Sequence, residues 1–254
     1  MILDLHIVLA AAAAVFTGAF LQRISGMGVG LVVGPALGFL IGPQVGVFAT
    51  NVVTITSAAY LTVIRARDVD WRRAGWILLF AIPGAIAGAL LVRETPTAWL
   101  QVILGGTILL ALLLTFTRTS MARRDGIPVI GLAGAVGGML NSAVGVAAPA
   151  MVIYSRSARW THPSFGATLQ PIFLGMGIMS VTAKTALGSL DTGQDLPAWW
   201  YLLIAFAMVI IGALAGSRAA AKVSPSRAQA LSTILAGAGA LLVLGRGLLA
   251  LAQS

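Results

Sequence analysis

The stretch FLQRISGMGVGLVVGP, residues 20–35, sets a charged arginine, Arg23, against a run of glycines in an otherwise apolar sequence. The surroundings of that arginine decide the fold. Of the 254 residues 59% are hydrophobic and 9% charged, and the mean hydropathy is +0.98, too little charge for a soluble domain of this length. A membrane span needs roughly 20 mostly apolar residues, and such segments fill nearly the whole chain. The sequence therefore reads as an all-α polytopic membrane protein with no separate soluble domain.

Working outward, proline punctuates the apolar runs. Pro43, Pro96, Pro128, Pro163, Pro197 and Pro225 stand where helices begin, because the first N–H of a helix has no intrahelical partner to lose. Thr95 and Ser224 stand at N-cap positions. Ten helices are expected, over 7–22, 28–42, 44–64, 74–92, 97–117, 127–142, 147–156, 163–188, 197–217 and 225–249. The tryptophans Trp71, Trp76, Trp99, Trp160, Trp199 and Trp200 all fall near expected helix ends, as headgroup-level aromatics do. The opening MILDLHIVLAAAAAVFTGAF lacks a basic leader region and carries Asp4, so it reads as the first membrane helix rather than a signal peptide.

The glycine break recurs. SGMGVGLVV (25–33) resembles VGVAAPAMV (144–152), Gly26 matching Gly145 at an offset of 119 that also sets Gln22 on Asn141 and Arg23 on Ser142. FATN (48–51) resembles FGAT (165–168), RDVDW (67–71) parallels GSLDT (188–192), and GAIAG (84–88) parallels GALAG (212–216). One integral membrane domain is thus expected to hold a first repeat, 1–120, and a second, 121–254. Such repeats commonly enclose a substrate path.

Lysine and arginine set the orientation. Four lie in 65–73, three in 118–124, two in 156–160 and three in 218–227, against only Arg93 and Arg246 in the opposite loops. The first four loops are therefore expected inside and both termini outside. With five helices per half the repeats are inverted, provided helices 1–2 and 6–7 each enter and leave on one side. Each pair is then either a re-entrant, glycine-broken hairpin or two full crossings. A single broken span per pair would spoil the charge bias and is rejected. The net charge of +9 suits this bias better than a phosphate footprint, so no nucleic-acid partner is expected.

Every acidic residue (Asp4, Asp68, Asp70, Glu94, Asp125, Asp191 and Asp195) falls in an expected loop or terminus. An interior without carboxylates argues against cation sites and carboxylate proton relays. Cysteine is absent, and the two histidines, His6 and His162, are far apart in sequence, so neither a metal nor a cofactor is expected. The positive interior favours an anion. Arg23 could fork onto an oxyanion, helped by backbone N–H groups of Ser25, Gly26, Gly28 and Gly30 at the start of helix 2. The opposing reading makes Arg23 one more cytoplasmic positive charge. Asn51, Asn141 and Gln170, with Thr54, Ser142 and Thr168 nearby, could line a site or merely bond helices together. Lys184, about one turn before a helix end, reads as a snorkelling lysine. Gly84 with Gly88 and Gly212 with Gly216 read as close helix packing, within the chain or in a homodimer.

In this order and spacing, GMGVGLVVGPAL, GVAAPAMVIY, Val69-Asp70-Trp71-Arg72, PGAIAGALL and the repeated Ala49-Thr50 and Ala167-Thr168 elements resemble the TauE/SafE sulfite exporter family, also called the toluene sulfonate uptake permease group. The resemblance covers essentially the whole chain. It implies a bacterial inner-membrane transporter, not an enzyme, moving sulfite, organosulfonates or related small anions, often outward. The second break departs from the family's denser glycine, reading Gly145-Val-Ala-Ala-Pro149. The expected substrate site comprises Gln22, Arg23, Ser25, Gly26, Gly28, Gly30, Asn51, Thr54, Asn141, Ser142, Gly145, Pro149, Thr168 and Gln170. A non-transporting membrane partner or sensor subunit, and an intramembrane enzyme, are the alternatives. The enzyme would need a membrane-embedded nucleophile or acid–base pair that the sequence does not offer.

Overall fold

In the computed structural model, which describes residues 4–116, 125–190 and 200–253, all regular structure is helical. The helices are α1 (Leu5–Ser25), α2 (Val29–Ile41), α3 (Pro43–Arg65), α4 (Trp71–Glu94), α5 (Thr97–Phe116), α6 (Ile127–Val144), α7 (Ala148–Ser157), α8 (His162–Ala186), α9 (Trp200–Ala219) and α10 (Pro225–Ala252), with a short 3₁₀ turn at Ala66–Asp68. All ten expected helices are present. The expected loop at 118–124 and the expected start of α9 at Pro197, with Asp191, Asp195 and Trp199, lie outside the described residues.

Among the described residues seven helices are long and apolar enough to cross a membrane, namely α1, α3, α4, α6, α8, α9 and α10. The segments Val29–Ile41 and Thr97–Leu113 are shorter apolar helices. Large side chains such as Leu9, Val63, Leu132, Leu203, Phe206 and Leu241 point outward, as expected where the solvent is lipid. α8 is the most enclosed of the seven.

Local chemistry explains the helix starts. Pro43, Pro128, Pro149 and Pro225 occupy the first positions of their helices, and Ser224 caps α10 by accepting from the Arg227 N–H at 3.3 Å. α4 begins three residues earlier than expected because Asp70 caps it, accepting from the Arg73 N–H at 3.0 Å.

Small residues set the packing. A Cβ at Gly88 would lie 2.5 Å from the Met139 carbonyl, one at Gly84 would collide with the Ala135 carbonyl, and Gly134 and Gly138 return the approach against Ile77 and Ala81. Paired contacts ascending together make α4 and α6 parallel. In the same way a Cβ at Gly212 would lie 2.5 Å from the Phe16 carbonyl and one at Gly216 2.7 Å from that of Phe20, so α9 runs parallel to α1. The residues met, Phe16 and Phe20 on α1 and Ala135 and Met139 on α6, stand 119 apart, the offset of the glycine breaks. Both small-residue faces are thus used inside the chain, where close backbone approach replaces the hydrophobic drive that lipid removes. α3 and α8 run antiparallel, Asn51 beside Gly177 and Arg65 beside Gly166; α5 and α10 do so as well, Gly105 against Ala240 and Ala98 against Gly247.

The described basic turns, at 65–73, 156–160 and 218–227, gather at one end of the bundle. Arg73 bonds Asp125 at 2.6 Å and lies 4.8 Å over the Trp160 ring, while the Tyr154 hydroxyl donates to Asp125 at 3.1 Å. This cluster ties the start of α4, the start of α6 and the end of α7 together. Arg246, in contrast, donates to the Phe39 carbonyl at 2.8 Å, at the end of α2.

Candidate functional site

The two breaks are built alike. Gly26 (φ +82°) closes α1 by donating its N–H to the Gln22 carbonyl at 2.8 Å, and Gly145 (φ +76°) closes α6 onto the Asn141 carbonyl at 2.9 Å. Both are left-handed caps that favour glycine. Ser25 clamps the first break, its hydroxyl lying 2.8 Å from the Leu21 carbonyl and 2.7 Å from that of Met27. The breaks then meet: a Cβ on Gly30 would lie 2.6 Å from the Gly145 carbonyl.

Around this junction lie two amide pairs. Gln22 donates through Nε2 to Gln170 Oε1 at 3.1 Å and accepts through Oε1 from the Val29 N–H at 3.0 Å, so it also caps α2. Gln170 Nε2 lies 3.2 Å from the carbonyls of Gly26 and Gly166. Asn141 donates to Asn51 Oδ1 at 2.7 Å, and Asn51 Nδ2 lies 3.0 Å from the Val47 carbonyl and 3.3 Å from that of Asn141. All four side chains are buried. Gln22 and Asn141 stand 119 apart, and so do Asn51 and Gln170. The α1 amide thus pairs with α8 of the other half, and the α6 amide with α3.

Between the pairs is a cavity of about 20 Å³, lined among others by Gln22, Gly28, Gly30, Thr54, Asn141, Gly145 and Phe173. That is room for about one water, less than any oxyanion needs. Its polar lining consists of amides, a hydroxyl and backbone, groups that can bind an anion but have no proton to exchange near neutral pH.

The structure brings together Gln22, Gly26, Gly28, Gly30, Asn51, Thr54, Asn141, Gly145 and Gln170. It places others elsewhere. Arg23 is half-buried against α9, its Nε donating to Ser217 Oγ at 2.8 Å, two residues before that helix ends. Its electrostatic neighbour is Arg65, the last residue of α3, which sets it at the basic end of the bundle. Thr168 accepts from the Asp70 N–H at 2.9 Å and so holds the turn into α4. Pro149 starts α7 and lines a separate small cavity with Met27 and Leu31. Ser142 is fully buried beside Gly88.

Two features escaped the sequence reading. The Arg73–Asp125–Tyr154–Trp160 cluster joins residues distant in sequence, with no local signal. Lys184 does not snorkel: its side chain is 0% exposed and its Nζ has no hydrogen-bond partner among the described residues. The helix turns it into the bundle, and periodicity near a helix end could not show that.

Seven apolar helices of spanning length mark a multi-pass membrane protein, and two helix breaks that meet beside a small polar cavity are the kind of junction at which membrane carriers bind their substrates. The family model for the sulfite exporter TauE/SafE matches residues 10–244, and the chain belongs to that family. It is a family of transporters, not of enzymes, and it implies a small anionic substrate. No curated protein and no solved structure gives a significant match to the chain.

Proposed function

We propose that this protein carries sulfite or a small organosulfonate outward across the bacterial cytoplasmic membrane, with the substrate site at the junction of the two breaks. The observation that carries the reading is the exchanged amide pairing, Gln22 with Gln170 and Asn141 with Asn51. Each pair joins a broken helix of one half to a long helix of the other, so opening the junction from either side exposes amide donors to an anion. The backbone of residues 25–30 and 145–149 completes the site. Arg23 and Arg65 form a positive rim at the inner mouth and draw anions toward it.

The antiparallel courses of α3 against α8 and of α5 against α10 support two inverted five-helix repeats, each opening with a glycine-broken hairpin. The gathering of basic turns at one end supports a cytoplasmic placement of that end and external termini. A cell-negative potential expels anions with about 2.3 kcal/mol per charge per 100 mV, so no coupling carboxylate is required. The test is efflux of sulfite from proteoliposomes under an imposed potential. Flux that follows the potential supports the reading; tight anion binding without flux overturns it.

A further inference from the structure

Three buried side-chain polar atoms lack a hydrogen-bond partner among the described residues: Ser142 Oγ, Ser180 Oγ and Lys184 Nζ. Each of the three residues is 0% exposed. They lie on two adjoining helices, α6 and α8, that both pack against α4. Ser180 and Lys184 stand four residues apart on α8, hence on one face. Ser142, on α6, packs where a Cβ at Gly88 of α4 would lie 2.8 Å from its own Cβ. The next α4 residue, Ala89, accepts from Ser189 Oγ at 2.9 Å, and the Ser189 N–H donates to the Lys184 carbonyl at 2.9 Å. Ser142 thus abuts α4 at Gly88, and the end of α8 that carries Lys184 is tied through Ser189 to the next α4 residue, Ala89, toward the end where α4 and α8 finish.

A buried ammonium without a partner is among the costliest groups a fold can hold, and two orphan hydroxyls beside it add to that cost. Packing gives no reason for a lysine here, since a leucine or methionine would fill the space without the penalty. A ligand that supplies oxygen acceptors to all three groups removes it. No acidic side chain lies in any described part of α4, α6 or α8 near this level; Glu94, at the end of α4, pairs with Arg93.

We propose that Lys184, Ser180 and Ser142 form a second site for a small oxyanion, between the junction cavity and the end of the bundle opposite the basic turns. This deepens the transport reading and rests on it: an anion leaving the amides would next be held by the ammonium and two hydroxyls. Asn141, at the first site, and Ser142, at the second, are consecutive on α6, so movement of that helix end acts on both.

The test uses purified full-length protein in detergent, with sulfite and methanesulfonate as probes and tryptophan-monitored melting plus calorimetric binding as readouts. The expected result is that both anions raise the melting temperature of the wild type. K184M, relieved of its buried charge, is expected to melt at or above the wild type without anion and to bind at least tenfold more weakly. S142A/S180A, relieved of two unpaired hydroxyls, is expected to melt at or above the wild type without anion and to bind severalfold more weakly. Asp191 and Asp195 lie outside the described residues, so D191N/D195N is measured alongside and is expected to keep the wild-type anion response. Unchanged affinity in K184M would overturn the site while leaving the transport reading intact. A K184M that melts lower than the wild type, matched by D191N/D195N, would assign the lysine to an ion pair and overturn it too. Absence of any binding to the wild type would overturn both.

Discussion

Gly26 and Gly30 lie four residues apart in the first break, and their replacement by alanine is expected to fail for different reasons. Gly26 has φ +82° and nothing within 4 Å of where a Cβ would stand. G26A therefore costs only the left-handed strain, about 1–2 kcal/mol, in every conformation that keeps the break. Gly30 is helical, so alanine suits its backbone, but the new Cβ would lie 2.6 Å from the Gly145 carbonyl. Carbon–oxygen contacts of this kind settle at about 3.3–3.6 Å, so the breaks would have to part by about 0.7–1 Å. Neither atom belongs to a flexible side chain. Overpacking of this order costs about 1–3 kcal/mol, and it falls only on the state in which the breaks touch. The population of that state then drops by about 5–150-fold, and transport that passes through it slows accordingly. The assay is tryptophan-monitored unfolding in detergent together with potential-driven sulfite efflux at matched protein per vesicle. G26A should melt lower with efflux changed only a few-fold, and G26N should melt closer to the wild type because asparagine tolerates this region. G30A should lose efflux by tenfold or more at a smaller loss of stability per unit of lost activity. Wild-type efflux in G30A beside collapse in G26A would refute a transport cycle that closes the two breaks on each other.

Asn141→Ala strands Asn51 Oδ1 in a buried position and should cost about 1–2 kcal/mol, with a coupling to Asn51→Ala of about 0.6–1.7 kcal/mol in a double-mutant cycle; additive losses would mean the 2.7 Å bond contributes nothing. Gly212→Leu should abolish accumulation of folded protein, since its side chain would enter the Phe16 carbonyl at the α1–α9 contact, whereas Gly106→Leu, with nothing within 4 Å of its Cβ position, should be neutral in the same expression and melting assays. A cysteine replacing Arg23 in this cysteine-free chain should react slowly with an impermeant maleimide from the side of the basic turns and be indifferent to sulfite; protection by sulfite would return Arg23 to the substrate site. Asp125→Asn should cost no more than about 1 kcal/mol in melting, because the Arg73 partner at 2.6 Å is part-exposed and such pairs are weak.

The fold was legible because its cues are local. Proline at a helix start, tryptophan at a helix end and apolar runs of spanning length each act within a few residues, and all ten helices followed from them. The glycine repeat was legible for a sharper reason. A left-handed cap favours glycine at that one position, so Gly26 and Gly145 stand out at a common offset although the residues around them differ. Asp70 was missed as a cap because the tryptophan and two arginines after it hide the helix start; the Asp70–Arg73 contact that reveals it is a matter of backbone geometry.

The site was legible only in its neutral half. Gln22, Asn51, Asn141 and Gln170 stand out because amides in apolar helices must find partners, and the offset of 119 that relates Gln22 to Asn141 and Asn51 to Gln170 follows from the repeat. Thr168 was expected to match Asn51, but the structure sets Gln170 at that station and gives Thr168 to the turn before α4. The charged half was harder because charge says nothing of depth. Arg23 and Lys184 look alike in sequence, each a lone cation near the end of an apolar run. Arg23 ends beside Ser217 and Arg65 at a helix-end level, where a guanidinium can stay hydrated. Lys184 ends sealed between helices, because a lysine four residues after Ser180 shares its buried face of α8, while Ile178 on another face stays exposed. Which neighbour surrounds a helix decides whether a cation is a rim or a site, and that is fixed by contacts between residues 100 or more positions apart, such as Ser189 with Ala89.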